Sequence, residues 1–186
     1  MSLSDFVRQN LQNNYKTEKR MIKKFLHGDK KILDFGCGSG NFCTIFSPKN
    51  YLGADIDNRC IKYAKKKYPK YSFKHYKKEL PAKDNEFDYV LSSGVFHHIP
   101  KKHVDFCLKE IRRVAKRNAK ILIMDQVPVR LQKNPLGRFI FSFDLGQFAK
   151  SPHEMKTYLE KYFTVTEFGY LKTGPFRFQV WKLVNK

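Results

Sequence analysis

Three glycines at alternate positions, followed by an aspartate at the end of the next apolar run, are the residues of this chain with the clearest chemistry. Gly36, Gly38 and Gly40 come directly after one short apolar run, and Asp55 ends the following one. Glycines at the end of a strand allow a sharp turn and bring a ligand close to main-chain N–H groups. A carboxylate at the position of Asp55 is able to accept hydrogen bonds from both hydroxyls of a ribose. The pattern therefore predicts a site for a nucleoside with an unphosphorylated ribose.

The spacing of the glycines argues against a dinucleotide. The fingerprint GxGxxG ends in a glycine that would fall at position 41, where this chain has Asn41. The spacing here is GxGxG instead, so NAD and FAD are less favoured than a single nucleoside.

A second group of polar residues follows two later apolar runs. His97 and His98 come after the fourth predicted strand and Asp125 ends the fifth, at the sheet edge where open α/β folds bind ligands. All three are candidate catalytic residues: one of the two histidines as a general base, and Asp125 either in contact with the substrate or as a base. The alternatives are that the histidine pair caps a turn or packs against the segment 127–150, and that Asp125 is an ordinary turn residue. Adding His103 gives no recognised ligand spacing, so no metal site is predicted.

An open sheet is needed to bring these strand ends to one edge. Short apolar or alternating runs predict strands at 31–35, 51–56, 71–76, 87–92 and 119–125, and a C-terminal hairpin of 163–171 and 176–184. Helical spacing and end signals predict helices directly after the glycine turn and at 4–25, 58–68, 100–116 and from Pro152 onward. Strands that alternate with helices and end in a hairpin indicate a mostly parallel α/β sheet.

Three motifs in this order resemble the class I S-adenosylmethionine (SAM)-dependent methyltransferases, and within them the type 11 group that includes quinone-biosynthesis enzymes. The motifs are ILDFGCGSG at 32–40, YLGADID at 51–57 and NEFDYVLSSGVFHHIP at 85–100. The resemblance extends from residue 31 to about residue 126 and is more specific than any single glycine loop. It implies a Rossmann-like, doubly wound, seven-stranded sheet that is mostly parallel, with an antiparallel last strand and helices on both faces. It also implies SAM as the cofactor.

The resemblance assigns cofactor-binding roles to individual residues. Asp34 and the three glycines would hold the methionine end of SAM, Asp55 would bind the ribose, and Ile56 would lie against the adenine. Cys37 and Ser92 are also assigned to the cofactor site. The family usually supplies an acidic residue near the adenine amine, whereas this chain has Tyr76 there, which is able to stack or to hydrogen-bond instead.

The chain is predicted to be a single methyltransferase domain, 1–186, in four parts. These are a leading helix at 4–27, a SAM-binding core at 31–126, a substrate lid at 127–150, and a helix with a hairpin at 151–186. The lid is predicted because 127–150 lacks clean periodicity and is rich in aromatic residues. Phe139, Phe141 and Phe143 either line an apolar substrate pocket or anchor this segment to the core.

The charge balance is strongly basic, with 37 Lys and Arg against 17 Asp and Glu and a formal net charge of +20. Such a field attracts RNA, anionic lipid or a phosphorylated substrate. However, there are 28 lysines and only 9 arginines, whereas bidentate phosphate recognition favours arginine. A general bias in composition is therefore favoured over nucleic-acid binding as the cause of the charge.

These observations leave three functions open. The first is methyl transfer to a small-molecule acceptor, either apolar or quinone-like, and the second is methylation of RNA or protein on the basic surface. The third is a noncatalytic SAM-fold binding protein. The sequence does not indicate an oligomeric state. No apolar run approaches the ~20 residues that span a bilayer, so no transmembrane segment is predicted, and a cytoplasmic location is expected.

Overall fold

The computed structural model describes residues 15–142 and 148–186. Seven strands are present in this part of the chain: β1 Ile32–Phe35, β2 Tyr51–Asp55, β3 Ser72–His75, β4 Phe87–Ser93, β5 Ala115–Gln126, β6 Phe163–Thr173 and β7 Phe176–Asn185. Five α-helices are described: α1 Lys16–Phe25, α2 Asn58–Lys67, α3 Lys101–Val114, α4 Pro135–Ser142 and α5 Pro152–Glu160. Short 3-10 turns lie at Cys43–Ile45, Pro48–Asn50, Phe96–His98 and Val129–Leu131.

The strands form one sheet in the order β3-β2-β1-β4-β5-β7-β6. Neighbours among β1 to β5 pair in parallel, and β7 pairs antiparallel with both β5 and β6. The predicted seven-stranded, mostly parallel sheet with an antiparallel last strand is therefore confirmed. The carboxyl ends of β1, β2, β4 and β5 lie at one edge because these strands run in the same direction.

The sheet is covered on both faces, as its near-continuous apolar strands require. Leu33 and Phe35 point to the face that α3 and α5 cover, and their cluster includes Trp181 of β7. Ile32 points the other way, into a cluster with Ile22 of α1 and other buried side chains. The alternation along β1 therefore supplies both halves of the core, and all four residues of this strand are buried.

The C-terminal part follows its local signals. The hydroxyl oxygen of Ser151 accepts a hydrogen bond from the Glu154 N–H, and the Glu154 carboxylate accepts one from the Ser151 N–H, so a capping box precedes the helix predicted from Pro152 onward. The hairpin turn between β6 and β7 contains Gly174 with a φ of 54°, a backbone conformation that glycine adopts at little cost.

The predicted helix after the glycine turn is wrong. The segment 41–50 instead forms the first two 3-10 turns, and β2 begins directly after them. Phe42 and Cys43 are buried in the core, and Pro48 lies at the start of the second turn. Ten residues that must also anchor two core side chains are too few for a regular crossover helix in this place.

The leading helix is described from Lys16, and the part of its predicted range from Ser4 to residue 14 lies outside the described residues. In the predicted lid, α4 follows the last 3-10 turn, and Phe139 on α4 is exposed. The side chain of Phe141 and all of Phe143 lie outside what the structure describes. Within residues 15–142 and 148–186, none of the helices has the length and apolar character needed to cross a membrane.

Candidate active site

The glycine turn begins where β1 ends. Gly36, Gly38 and Gly40 have φ values of 70°, 50° and 79°, in the left-handed region that disfavours other residues. A Cβ atom at Gly36 would clash with the side chain of Val95, so glycine is needed for the turn to approach the loop after β4. A Cβ atom at Gly38 would meet no atom within 4 Å. The backbone at Gly38 therefore presents an open surface.

Asp55 lies at the carboxyl end of β2 and is bound to this turn. Its Oδ2 accepts a hydrogen bond from the Gly38 N–H at 2.8 Å, and its Oδ1 accepts one from the Asp57 N–H at 2.8 Å. Burial raises the pKa of Asp55, while the backbone hydrogen bonds oppose that rise. One N–H on each oxygen fixes the plane of the carboxylate and leaves further lone pairs on both oxygens for a ligand.

Asp34 is buried below the same turn. Its Oδ2 accepts a hydrogen bond from the Tyr51 hydroxyl at 2.7 Å. Burial raises the pKa of Asp34 to about 7, and the Tyr51 hydrogen bond acts in the opposite direction. Asp34 therefore titrates near neutral pH, and its contact with a bound methionine end stays a prediction.

Three other predicted cofactor residues differ in exposure. Cys37 is buried, and burial raises the pKa of its thiol well above the usual value, so its thiol is unreactive. Ile56 is 67% exposed directly beyond the end of β2. Tyr76 is partly buried, and its ring centroid lies 6.3 Å from that of Phe35. The backbone N–H of Tyr76 donates a hydrogen bond to the Asp55 carbonyl at 3.2 Å. Burial also raises the pKa of Tyr76, so its hydroxyl keeps its proton at neutral pH.

The structure brings His97 and Asp125 together below the surface. Nδ1 of His97 lies 2.5 Å from Oδ1 of Asp125, and the His97 N–H donates to Oδ2 at 3.1 Å. A carboxylate only accepts, so Nδ1 carries the proton. Nε2 of His97 lies 3.1 Å from the side-chain nitrogen of Gln126 and accepts from it. Both ring nitrogens are thus engaged, and neither His97 nor Asp125 presents more than 2% of its surface to solvent.

His98 and Ser92 have opposite environments. His98 is exposed, and its ring centroid lies 3.9 Å from that of His97. Ser92 is fully buried, and its Oγ has no hydrogen-bond partner among the described residues. His98 is therefore the member of the histidine pair that solvent or an acceptor can reach.

Lys150 is a buried residue that the sequence analysis did not single out. Its Nζ donates to the Phe96 carbonyl at 2.5 Å and also to the Ile99 carbonyl. Burial lowers the pKa of Lys150 to about 8. The lysine thus fastens the end of segment 127–150 to the loop that carries the histidine pair. One lysine among 28 carries no sequence signal of burial, so only the fold reveals it.

A chain of amides extends this buried polar cluster into β7. The side-chain nitrogen of Gln179 donates to the carbonyls of Gln126 at 3.2 Å and Lys150 at 2.8 Å. Its oxygen accepts from Trp181 Nε1 at 3.0 Å. The polar groups of the cluster are satisfied in this way despite their burial, which the antiparallel pairing of β7 with β5 makes possible.

The strand order with its reversed last strand, and the glycine turn beside a strand-end carboxylate, define the architecture of class I methyltransferases. Residues 33–123, about half of the chain, match the family model described as a methyltransferase domain of type 11. Residues 33–123 therefore form a methyltransferase domain of the type 11 group, and SAM is the cofactor of that family.

Individual proteins resemble the chain at two levels. An uncharacterized protein of Methanocaldococcus jannaschii is 35% identical over 107 residues, which are 56% of this chain and 44% of the relative. Probable tRNA methyltransferase 9B of Mus musculus is 28% identical over 120 residues, 60% of this chain and 27% of the relative. The chain thus spans less than half the length of these curated relatives. The fold matches magnesium protoporphyrin IX methyltransferase of Synechocystis with bound S-adenosylhomocysteine, with a TM-score of 0.74, 16% identity, and coverage of 97% of this chain and 88% of that one.

Proposed function

We propose that this chain transfers a methyl group from SAM to a small, apolar acceptor. The observation that carries the proposal is the Asp55 carboxylate, held by the N–H groups of Gly38 and Asp57 beside an open glycine turn. A carboxylate fixed in this way is suited to two adjacent hydroxyls, and the free surface at Gly38 leaves room for a ligand against the backbone.

The residues present fit the cofactor that the family implies. Asp55 would hold the ribose, the turn from Gly36 to Gly40 would hold the methionine end, and Ile56 and Tyr76 would flank the adenine. When bound, SAM supplies a methyl group on a sulfonium centre that a nucleophile can displace. The chain's own part is to align the acceptor with that methyl group and to exclude water.

The acceptor would bind between the loop after β4 and the segment 127–150. His98 is exposed at this place, whereas His97 has both ring nitrogens engaged. We therefore assign His98 as the group that removes a proton from an acceptor that still carries one. His97 and Asp125 act as positioning residues that hold the loop, together with Lys150. Phe139 and Phe148 are exposed on the 127–150 segment, which supports an apolar acceptor rather than an anchoring role alone.

The test is a transfer assay with SAM labelled in its methyl group and a cell extract separated into lipid-soluble, RNA and protein fractions. We expect label in the lipid-soluble fraction with the wild-type chain and little with Asp55→Ala. Asp84→Ala is the matched control, since Asp84 is an exposed aspartate in the loop before β4, where it pairs with Arg113 at the edge of the sheet opposite Asp55. Absence of label from every fraction would contradict the proposal and favour the noncatalytic alternative.

A second candidate function, RNA methylation, is favoured by one surface feature. A cavity of about 540 Å³ lies at the edge of the sheet opposite the glycine turn and is lined in part by Lys109, Arg112, Arg113 and Arg117. Three of the nine arginines are thus gathered in one place, although lysine dominates elsewhere, and arginine suits phosphate. The name of the mouse relative, probable tRNA methyltransferase 9B, points the same way. Label in the RNA fraction that Arg112→Ala with Arg117→Ala abolishes, and Lys65→Ala with Lys66→Ala does not, would favour this function.

A further inference from the structure

Exposed apolar side chains are concentrated in one segment of the described chain. Five of the large apolar or aromatic side chains that the structure shows as exposed lie between residues 127 and 150, with 38% to 63% of their surface accessible. We call them the lid surface: Val129, Leu131, Leu136, Phe139 and Phe148. Folded proteins usually leave large apolar side chains exposed singly, and five of them within one short segment mark a candidate interaction site.

The lid surface is interspersed with positive charge. Arg130, Lys133 and Arg138 are exposed, and the sequence from 127 to 142 contains no acidic residue. Leucine and phenylalanine side by side with arginine and lysine are typical of segments that lie in the interface of an anionic bilayer.

The segment is fastened to the fold at both ends, so the lid surface is a built feature. At its start, the side-chain nitrogen of Gln132 donates to the Arg177 carbonyl at 2.9 Å, and the Gln132 oxygen accepts from the Arg177 N–H at 3.0 Å. At its end, the Phe148 N–H donates to the His97 carbonyl at 3.0 Å, and Lys150 binds the same loop. One end of the lid surface therefore adjoins the loop that carries His97 and His98, where we propose that the acceptor binds.

We propose that the lid surface docks on an anionic lipid bilayer. The occupant is argued from charge complementarity, because three basic residues would face anionic headgroups while the apolar side chains enter the boundary of the acyl chains. A second copy of the chain would set like charges against each other. An RNA backbone would leave the leucines and phenylalanines without an apolar partner. The inference rests on the proposed function, since docking there would let an apolar acceptor pass from the bilayer to the site.

The test is co-sedimentation of the chain with vesicles of phosphatidylcholine alone and of equal parts phosphatidylcholine and phosphatidylglycerol, without cofactor or acceptor. We expect binding to the anionic vesicles only. Arg130→Gln with Lys133→Gln and Arg138→Gln is expected to weaken it by about tenfold or more. The matched control is Lys23→Gln with Lys65→Gln and Lys66→Gln, which removes the same charge from exposed positions elsewhere. An equal loss of vesicle binding in both triple variants would overturn the inference, because the attraction would then come from the overall positive charge and not from the lid surface.

The apolar part of the inference has its own pair of variants. Leu136→Ser with Phe139→Ser is expected to weaken vesicle binding about tenfold, and Tyr63→Ser with Phe106→Ser, at exposed positions on α2 and α3, is expected to leave it unchanged. Undiminished binding by the lid variant would overturn docking through this surface. The inference would also be overturned if the chain did not sediment with vesicles but bound RNA through Arg130, Lys133 and Arg138. Vesicle binding without methyl transfer would refute the proposed function alone, and methyl transfer without vesicle binding would refute this inference alone.

Discussion

The Nδ1 atom of His97 lies 2.5 Å from a carboxylate oxygen of Asp125, and both side chains are buried at the carboxyl edge of the sheet. Asp125 also accepts hydrogen bonds from the N–H groups of His97 and Gln126. The Asp125 carboxylate therefore links the end of β5 to the loop after β4 through hydrogen bonds to His97. This geometry suits a support for the loop that ends in His98 better than a pair that exchanges protons with an acceptor.

The first prediction concerns this pair. Asp125→Asn removes the charge and one acceptor, so we expect a loss of about 1–3 kcal/mol in the free energy of unfolding, measured with urea. The pH profile of methyl transfer is expected to keep its shape. If a stable Asp125→Asn variant instead lost one limb of the pH profile, Asp125 would take part in proton transfer. The pH profile of His98→Gln is the comparison, because His98 is exposed and is the residue assigned as the base.

The second prediction uses the raised pKa of Asp34, about 7 in the folded chain against 3.8 for an ordinary aspartate. Because the folded pKa is raised, the stabilising contribution of the protonated carboxyl is complete below about pH 4 and is lost as the pH rises to about 7. Asp34→Asn keeps an acceptor for the Tyr51 hydroxyl without this titration. We expect the variant to be more stable than wild type by about 1–4 kcal/mol near pH 8, with a smaller difference near pH 5. If the free energies of unfolding of wild type and Asp34→Asn changed by the same amount between pH 5 and pH 8, the raised pKa of Asp34 would be contradicted.

The third prediction separates two neighbouring arginines on α3. Arg113 binds both carboxylate oxygens of Glu110 at 2.8 Å and donates to the carbonyls of Leu80 and Ala82, whereas Arg112 is exposed. We expect Arg113→Met to lower the free energy of unfolding by about 2–3 kcal/mol and Arg112→Met to change it by less than about 0.5 kcal/mol. Thermal unfolding of the two variants side by side checks this, and equal effects would refute a structural role specific to Arg113.

The fourth prediction concerns Lys150. Lys150→Met leaves the carbonyls of Phe96 and Ile99 without their donor, so we expect hydrogen exchange in 94–100 to accelerate by about 5- to 30-fold. Lys101→Met is the control, because Lys101 pairs with Glu154 on the surface. The lowered pKa of Lys150 adds a pH dependence: wild type should gain stability relative to Lys150→Met as the pH rises from about 8 toward 10.5. Unchanged exchange in this loop would contradict the fastening role.

Much of the fold follows from local signals. The glycine turn could be predicted because its positive φ values are a property of single residues, and the capping box before α5 because Ser151 and Glu154 are three positions apart. β5 begins at Ala115 rather than at the predicted residue 119. The charged residues at the start of β5 gave no strand pattern. This part of the strand is defined by the pairing of Ala115 with Phe87 on β4.

The candidate site was only partly predictable, because burial depends on partners that are distant in sequence. Asp55 could be singled out from its place at a strand end, whereas Ile56 was assigned only through the family resemblance. Lys150 and Gln179 could not, since their environment exists only after β7 pairs with β5 and segment 127–150 returns to the histidine loop. The same distant contacts show that His97 is enclosed and His98 exposed, which their adjacent positions in the sequence do not reveal.

The measurement that tests the central claim most directly is a calorimetric titration of S-adenosylhomocysteine into wild type, Asp55→Ala and Asp84→Ala. Loss of charge-assisted hydrogen bonds to the ribose should weaken binding to Asp55→Ala by about 1–3 kcal/mol, roughly 5- to 150-fold in Kd. Asp84→Ala should bind as wild type does. Equal affinity of all three proteins, or no binding to wild type, would contradict the claim that Asp55 and the glycine turn form the cofactor site.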